Sequence, residues 1–267
     1  MLANALHLHD AVLLFFAGAA GGAINAVAGG GSFVSFPTLL FTGVPAVPAN
    51  ATNTFALWVG TAASSSAYRN TTRLSLRVMV PLAIASILGG LAGALLLIHT
   101  PGETFLRVLP WLLLGGTLLF AFGRHITRYM RTGTSHEPSA GALALAALFE
   151  LFVAVYGGYF GGGIGIMNLA MLAALGMTNM HAMNYLKVVL GTIINGVATV
   201  TFIASRVIFW PQALVMTAGA LIGGYACAHY AQKLPQTYIR VFVILTGITM
   251  TIYFFRLAYI VPAGALR

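Results

Sequence analysis

The chain has 267 residues, a formal net charge of +9, 59% hydrophobic residues and only 6% charged residues. A soluble domain carries roughly 25% charged residues, so a water-soluble fold is excluded. Strands of a transmembrane barrel alternate polar and apolar residues, which these segments do not, and backbone groups in lipid must pair with one another, so we expect an all-α, polytopic membrane protein.

Apolar segments in chain order predict five helices in each half. Those of the first half are residues 11–28, 32–43, 50–67, 78–98 and 106–123, and those of the second are 140–160, 163–176, 182–204, 211–231 and 238–258. At about 1.5 Å per residue, the second element of each half extends only roughly 18 to 20 Å, which is shorter than a hydrocarbon core of about 30 Å. We interpret both short elements as broken or re-entrant helices.

The two halves share sequence features at an almost constant offset. Glycine triplets at 29–31 and 161–163 lie 132 residues apart (161 − 29), and TFLRV at 104–108 corresponds to TYIRV at 237–241. We therefore interpret residues 1–131 as a first membrane repeat and residues 140–267 as a second. The polar segment 132–139 is the expected linker between them.

The distribution of positive charge predicts the orientation of these repeats. Three arginines lie in residues 69–77 and three more in residues 124–131, and the positive-inside rule assigns both groups to the cytoplasm. The hairpin that carries Pro101 and Glu103 is then outside. Lys233 and Arg240 place the loop at the same position of the second half inside, and the loop with Arg206 outside, so the second half is inverted. We expect a multi-pass protein of the bacterial inner membrane with two inverted-topology repeats, a cytoplasmic linker and periplasmic termini. Six or ten crossings both satisfy this pattern.

Glycines and prolines interrupt the helices beside each short element. Irregular backbone at membrane depth is tolerated where it lines a wet cavity, and a free helix N-terminus there favours an anion. The alternative is that the glycines only allow close helix packing. The expected breaks are Gly29, Gly30 and Gly31, then Gly161, Gly162 and Gly163, with Pro37, Pro45 and Pro48 adding breaks in the first half.

Polar side chains cluster around the first break and recur in the second half. Their amide and hydroxyl groups can replace water around an oxyanion. Helix capping or bonding between helices is the alternative reading. The residues expected in the substrate site are Asn25, Ser32, Thr52, Asn53 and Asn184.

Lys187 and Glu150 are formal charges well inside apolar elements. Charged side chains within a membrane are functional candidates by default, so we expect Lys187 to contact the anion. Snorkelling of its stem to the interface is the alternative. Glu150 is expected either to relay protons, to pair with Lys187 or to be a neutral structural residue. His181, beside the second short element, is a weaker candidate for proton exchange.

Specific motifs of this chain resemble those of the TauE/SafE sulfite-exporter family. They are a glycine triplet after a broken first helix, the segment Phe36-Pro37-Thr38-Leu39, the segment 49–53 with sequence ANATN, and GGYFGGG at 157–163. The resemblance covers nearly the whole chain. It implies transport of small anions such as sulfite or organosulfonates across the bacterial inner membrane, mostly outward.

Three functional classes compete for this sequence. A secondary transporter explains the duplication, the inversion and the paired breaks together. An intramembrane hydrolase would need a nucleophile beside a base, and no spacing argues for one. A scaffold would leave the buried polar residues unexplained. We therefore expect alternating-access transport with a small anion and membrane lipids as partners, and no catalytic residue, cofactor, metal or nucleic acid. Import, another small anion and the oligomeric state stay open.

Overall fold

The computed structural model describes residues 6–27, 30–65, 76–129, 139–177, 179–230 and 236–260, and within these ranges helices are joined by turns and no β-strand occurs. The all-α prediction is confirmed. Ten α-helices are followed by a π-helical turn at Arg256–Ile260. The helices are α1 Leu8–Val27, α2 Ser32–Phe41, α3 Ala46–Ser65, α4 Leu76–His99, α5 Gly102–Tyr129, α6 Ala140–Tyr159, α7 Ile164–Ala174, α8 Met180–Ala204, α9 Trp210–Tyr230 and α10 Gln236–Phe255.

Helix lengths agree with a multi-pass membrane protein. In the described part of the chain, six helices are long and apolar enough to cross a membrane, namely α1, α4, α5, α6, α8 and α10 with its π-helical turn. α3 and α9 have 20 and 21 residues. α2 and α7 have only 10 and 11 residues, which confirms the two short elements.

The three prolines of the first half differ in whether they interrupt a helix. Pro37 lies inside α2, which continues to Phe41, so the expected break at this position is wrong. A proline removes one backbone hydrogen bond from a helix interior, and here the helix tolerates the loss. Pro45 precedes α3 and Pro48 lies in its first turn, where the proline nitrogen would have had no intrahelical partner in any case.

The closest packing in the molecule joins α1 to α9 through glycines. A Cβ atom added at Gly18 or Gly22 of α1 would collide with the backbone of α9, and one added at Gly219 or Gly223 of α9 would collide with the backbone of α1. Glycines four residues apart leave a flat strip on each helix, and two such strips bring the helices into backbone contact. The two helices run parallel, because the contacts advance along both in the same direction.

The packing of α4 on α6 repeats the packing of α1 on α9. Gly89 and Gly93 of α4 have no room for a side chain against the backbone of α6, and Gly158 has none against α4. Gly89 faces Leu151, and the corresponding Gly223 faces Ala19. These pairs are related by the sequence offset of the two halves, since 223 − 89 is 134 and 151 − 19 is 132.

Helices α5 and α10 pack against each other in antiparallel orientation. The ring of Trp111 lies 5.0 Å from that of Phe255, and the Tyr259 hydroxyl donates a hydrogen bond of 3.0 Å to the Arg107 carbonyl. Gly247, earlier in α10, lies against Thr117, later in α5. The residue numbers therefore run in opposite directions along this contact.

Parts of the predicted organisation lie outside the described residues. Arg69, Arg73, Arg131 and Lys233 are in undescribed segments, and so is the linker up to residue 138. The linker is described only at Ser139, whose hydroxyl accepts a hydrogen bond from the Ala142 amide and caps α6. The boundaries of the two repeats therefore stay a prediction.

Candidate functional site

A small polar cavity lies between helices of both halves. It is formed by α1, α2 and α3 together with the α6–α7 turn, α7 and α8, and its volume is about 60 Å³. A space of this size holds a few water molecules, and therefore a small anion. Its lining residues are Asn25, Ser32, Thr54, Leu57, Thr61, Phe160, Gly161, Ile164, Gly165, Lys187, Val188, Gly191 and Asn195.

The second glycine triplet forms a tight turn that leads into α7 at the cavity wall. Gly161 and Gly163 have φ values of +86° and +89°, which other residues adopt only with strain. The Tyr156 hydroxyl donates a hydrogen bond of 2.6 Å to the Gly162 carbonyl and fixes the turn. Ile164 and Gly165 then begin α7 at the cavity, where the first amides of a helix have no intrahelical acceptor. The positive end of α7 therefore faces the cavity.

The first glycine triplet has a different physical role. Gly31 has an ordinary helical φ of −56°, but a side chain there would collide with the Gly21 carbonyl. At Gly30 a Cβ would lie 2.5 Å from the Phe120 ring. Space, and not backbone strain, demands glycine at both positions. Gly29 lies outside the described residues.

Asn53 supports the cavity wall from behind. Its side chain is fully buried, and its Nδ2 donates a hydrogen bond of 3.1 Å to the Ser32 hydroxyl. Its Oδ1 accepts a short hydrogen bond from Ser35, so both ends of the amide are held. Ser32 faces the cavity and Asn53 does not. Asn53 is thus a positioning residue for the start of α2.

Asn25 and Thr61 form the opposite polar wall. Asn25 Nδ2 donates a hydrogen bond of 2.7 Å to Thr61 Oγ1, and the Thr61 hydroxyl donates one of 2.8 Å to the Leu57 carbonyl. This chain fixes the hydroxyl proton, which leaves the oxygen of Thr61 accepting from Asn25. The second Nδ2 proton of Asn25 remains to bind a ligand, because an amide carries two donors.

Lys187 is the charged member of the cavity lining. Its stem passes over Gly165, where an added Cβ would lie 3.3 Å from Lys187 Cδ. In the part of the chain that the structure describes, no carboxylate lies within ion-pair distance of its ammonium. An intramembrane cation without a fixed counter-charge is costly unless an anion or water reaches it.

Other predicted site residues lie away from the cavity lining. The lining does not include Gly30, Gly31, Gly162, Gly163 or Asn184. The Thr52 hydroxyl accepts a hydrogen bond of 3.1 Å from the Phe209 amide, which ties α3 to the α8–α9 loop. Thr52 therefore has a structural contact of its own.

The two candidates for proton exchange have different outcomes. Glu150 is fully buried between α4 and α6, where its Oε1 accepts a hydrogen bond of 2.6 Å from Ser86. It neither lines the cavity nor forms an ion pair with Lys187 in the described part of the chain. The side chain of His181 lies outside what the structure describes. Among the described residues, no group of three or more possible metal ligands occurs.

The sequence prediction omitted several cavity residues, and the internal repeat relates two of them, because Asn195 corresponds to Thr61 at an offset of 134 (195 − 61). Only the structure shows that Thr61 is the hydrogen-bond partner of the predicted residue Asn25. Gly165 and Gly191 carried no sequence signal, because their contribution is the space that they leave.

A polytopic helical protein with two short interrupted helices around a polar cavity has the features of a membrane transport protein. Comparison with known sequences agrees with this class. The family described as "Sulfite exporter TauE/SafE" matches residues 14–254. The chain therefore belongs to the TauE/SafE sulfite exporter family.

Individual relatives carry transporter names as well. A "Probable membrane transporter protein" of Haemophilus influenzae is 30% identical over 240 residues, covering 90% of this chain and 92% of its own length. "Probable membrane transporter protein ORF9" of Sinorhizobium sp is 25% identical, covering 92% of this chain and 93% of its own. "Probable membrane transporter protein YfcA" of Escherichia coli K12 is 23% identical, covering 90% and 87%. No solved structure matches the chain.

Proposed function

We propose that the protein is a secondary transporter that exports sulfite or a small organosulfonate anion across the bacterial inner membrane by alternating access. The observation that carries the proposal is Lys187, a lysine in a small polar cavity with no carboxylate partner among the described residues. Another small anion, moved in either direction, is the alternative.

The electrostatics of the cavity favour an anionic substrate. Lys187 contributes a full positive charge, and the first turn of α7 contributes a partial one. Asn25 and Ser32 add uncharged hydrogen-bond donors, and the lining contains no Asp or Glu. A cation would be repelled by this set of groups. Several weak donors around one charge also suit release, because a carrier must let its substrate go.

The cavity volume and the family description limit the range of possible substrates. About 60 Å³ accommodates a small tetrahedral or pyramidal oxyanion head group, whereas a bulky organic anion would need the cavity to open. The family is named for sulfite export. Sulfite and short sulfonates present three oxygens to donors on several sides, which agrees with polar groups contributed by both halves.

The packing of the helices supports alternating access through an inverted repeat. The α1–α9 contact recurs as the α4–α6 contact with corresponding glycines, and α5 runs antiparallel to its counterpart α10. Two halves related by an axis in the membrane plane would produce both features. Rocking of one half against the other then exposes the cavity to either side. With the arginine distribution, this arrangement supports a periplasmic position of both chain ends.

Transport in reconstituted vesicles tests the proposal. Purified protein in proteoliposomes should move labelled sulfite or isethionate down an imposed gradient, and Lys187→Gln should reduce the initial rate at least tenfold. Arg107→Gln is the matched control, because Arg107 is an exposed cation on α5. Flux in the wild type no greater than in protein-free vesicles, for both anions, would contradict the proposal.

A further inference from the structure

Glu150 is a buried acid that the anion cavity does not use. The side chain has no solvent exposure, and Ser86 is its hydrogen-bond partner through Oε1. Its second oxygen, Oε2, is buried without any hydrogen-bond partner. A carboxylate in such a place would lose its hydration without compensation, whereas a protonated carboxyl is neutral. The geometry therefore suits an acid that carries its proton on Oε2.

Asn168 of α7 repeats this unusual situation. It is fully buried, and both its Nδ2 and its Oδ1 lack hydrogen-bond partners. Buried amides are nearly always paired, so an orphaned one indicates a group or a state that the present conformation does not contain. Two neighbouring helices thus each carry an unsatisfied polar side chain deep in the apolar interior.

These side chains occupy one layer between two hydrophobic clusters. On α6, Ala146 lies four residues before Glu150 and Ala154 lies four residues after it. On α7, Ile164 and Leu172 lie four residues before and after Asn168. Ala146 and Leu172 belong to one hydrophobic cluster, and Ala154 and Ile164 belong to the other. Residues four apart lie on one helix face, so the polar side chains fall between the same two apolar layers.

The layer is connected mechanically to the anion cavity. α6 ends and α7 begins at the turn whose residues Phe160, Gly161, Ile164 and Gly165 line the cavity. Glu150 lies eleven residues before Gly161, about 16 Å along the helix. Movement of this turn on anion binding would therefore shift both helices that carry the layer.

No other titratable group stabilises a charge on Glu150 in the described residues. α7 carries none. α8 carries His181, whose side chain lies outside what the structure describes, and Tyr185 and Lys187, neither of which forms an ion pair or hydrogen bond with Glu150. α4 carries Arg77 and His99 near its two ends, about 14 and 20 Å along the helix from Ser86. On α6 itself, Tyr156 bonds to the Gly162 carbonyl and Tyr159 lies in the last turn.

We propose that Glu150, Ser86 and Asn168 form a proton-binding site that couples proton movement to the anion transport proposed above, on which this inference rests. In one conformation the Glu150 carboxylate takes a proton from water onto Oε2 and becomes a neutral acid, while Ser86 keeps its bond to Oε1. In the other conformation the layer is hydrated, and the proton returns to water on the opposite side.

Infrared spectroscopy tests proton binding without any substrate. The chain has four Asp and Glu residues, so the C=O stretch of a protonated carboxyl can be assigned by substitution. The wild type should show this band at neutral pH, Glu150→Gln should lose it, and Glu103→Gln, at an exposed carboxyl on α5, should keep it. Ser86→Ala, which retains the acid, should move the pH at which the band disappears. A missing band in the wild type, or a band that persists in Glu150→Gln, would overturn the site.

Vesicle transport tests the coupling. Isethionate is suitable because its sulfonate does not itself carry a proton near neutral pH. With a pH-sensitive dye inside the vesicles, wild type and Glu103→Gln should move protons in proportion to isethionate, and Glu150→Gln should move the anion with at least tenfold less proton movement. An unchanged proton-to-anion ratio in Glu150→Gln would overturn the coupling. No anion flux in the wild type would instead contradict the proposed transport, and the infrared band would still decide whether Glu150 binds a proton.

Discussion

Gly165 of α7 leaves the space through which the side chain of Lys187 of α8 reaches the cavity. A Cβ atom at Gly165 would lie 3.3 Å from Cδ of Lys187, 3.7 Å from Cγ and 3.9 Å from Cε. The lysine stem is therefore guided along the glycine surface. Because Gly165 has no side chain, the long side chain of Lys187 fits between the two helices, with its end near the first turn of α7.

Enlarging Gly165 should displace this ammonium group. Gly165→Ala creates a tight contact that a flexible stem can relieve, so we expect anion affinity to fall only a few-fold. Gly165→Val adds two methyl groups in the path of the stem and should reduce affinity more than tenfold. Isothermal titration with sulfite measures both. Gly115→Val is the matched control, because no atom lies within 4 Å of the corresponding Cβ position. Equal affinity in Gly165→Val and wild type would contradict this role.

Neutralising Lys187 should weaken anion binding by about 1.5 to 3 kcal/mol, the contribution of a hydrogen bond to a charged group. Lys187→Gln removes the charge and should lower sulfite affinity tenfold or more. Lys187→Arg keeps the charge on a wider head group and should retain part of the affinity. Titration calorimetry of both variants beside Arg107→Gln provides the comparison. Wild-type affinity in Lys187→Gln would mean that the anion does not contact this residue.

Alanine substitutions at Asn53 and Asn195 should distinguish a residue that supports the cavity wall from one that contacts the substrate. Asn53→Ala leaves the buried Ser35 hydroxyl and the half-buried Ser32 hydroxyl without their amide partner and should lower the free energy of unfolding by about 1 to 3 kcal/mol. Asn195→Ala, at the cavity surface, should lower anion affinity while leaving the melting temperature close to that of the wild type. Thermal unfolding and titration of the same samples distinguish the two roles. The reverse pattern would contradict the assignment.

The proposed inverted repeat predicts which side of the membrane each exposed helix end faces. In a variant with Cys227 replaced by alanine, cysteines at His7 and Glu103 should react with an impermeant maleimide from the periplasm. A cysteine at Ser139 should react only from the cytoplasm. All three positions are exposed, so access does not limit labelling. Labelling of Ser139 and Glu103 from the same side would contradict the orientation.

The helical framework could be predicted from sequence because its causes are local. Apolar runs gave all ten helices, and the glycine triplets marked the starts of α2 and α7. Proline disfavours a helix interior, which predicts a break at Pro37, yet α2 retains enough other backbone hydrogen bonds to continue past it. α1 begins at Leu8 and not at the predicted residue 11. The end of a helix depends on how its terminal backbone groups are solvated, which hydrophobic periodicity does not reveal.

The candidate site was predictable only in part because helix rotation decides which side chain faces a cavity. Of the residues expected in the site, Asn25, Ser32, Gly161 and Lys187 line the cavity, and their contact with the substrate stays a prediction. Asn53 does not line the cavity but hydrogen-bonds to Ser32, which does. The spacing of polar residues along α3 does not distinguish these two positions. The two glycine triplets look alike in sequence, although Gly161 needs a positive φ and Gly31 needs room beside Gly21.

The proposed transport requires that the anion binds between Lys187 and the start of α7. Selenite has the shape and charge chemistry of sulfite, and selenium scatters X-rays anomalously, so a crystal soaked in selenite locates the anion directly. We expect one anomalous peak in the cavity, with the selenite oxygen atoms within hydrogen-bond distance of Lys187 Nζ and the Gly165 amide. The peak should be absent from Lys187→Gln crystals. A peak elsewhere in the molecule with none in the cavity would contradict this anion site.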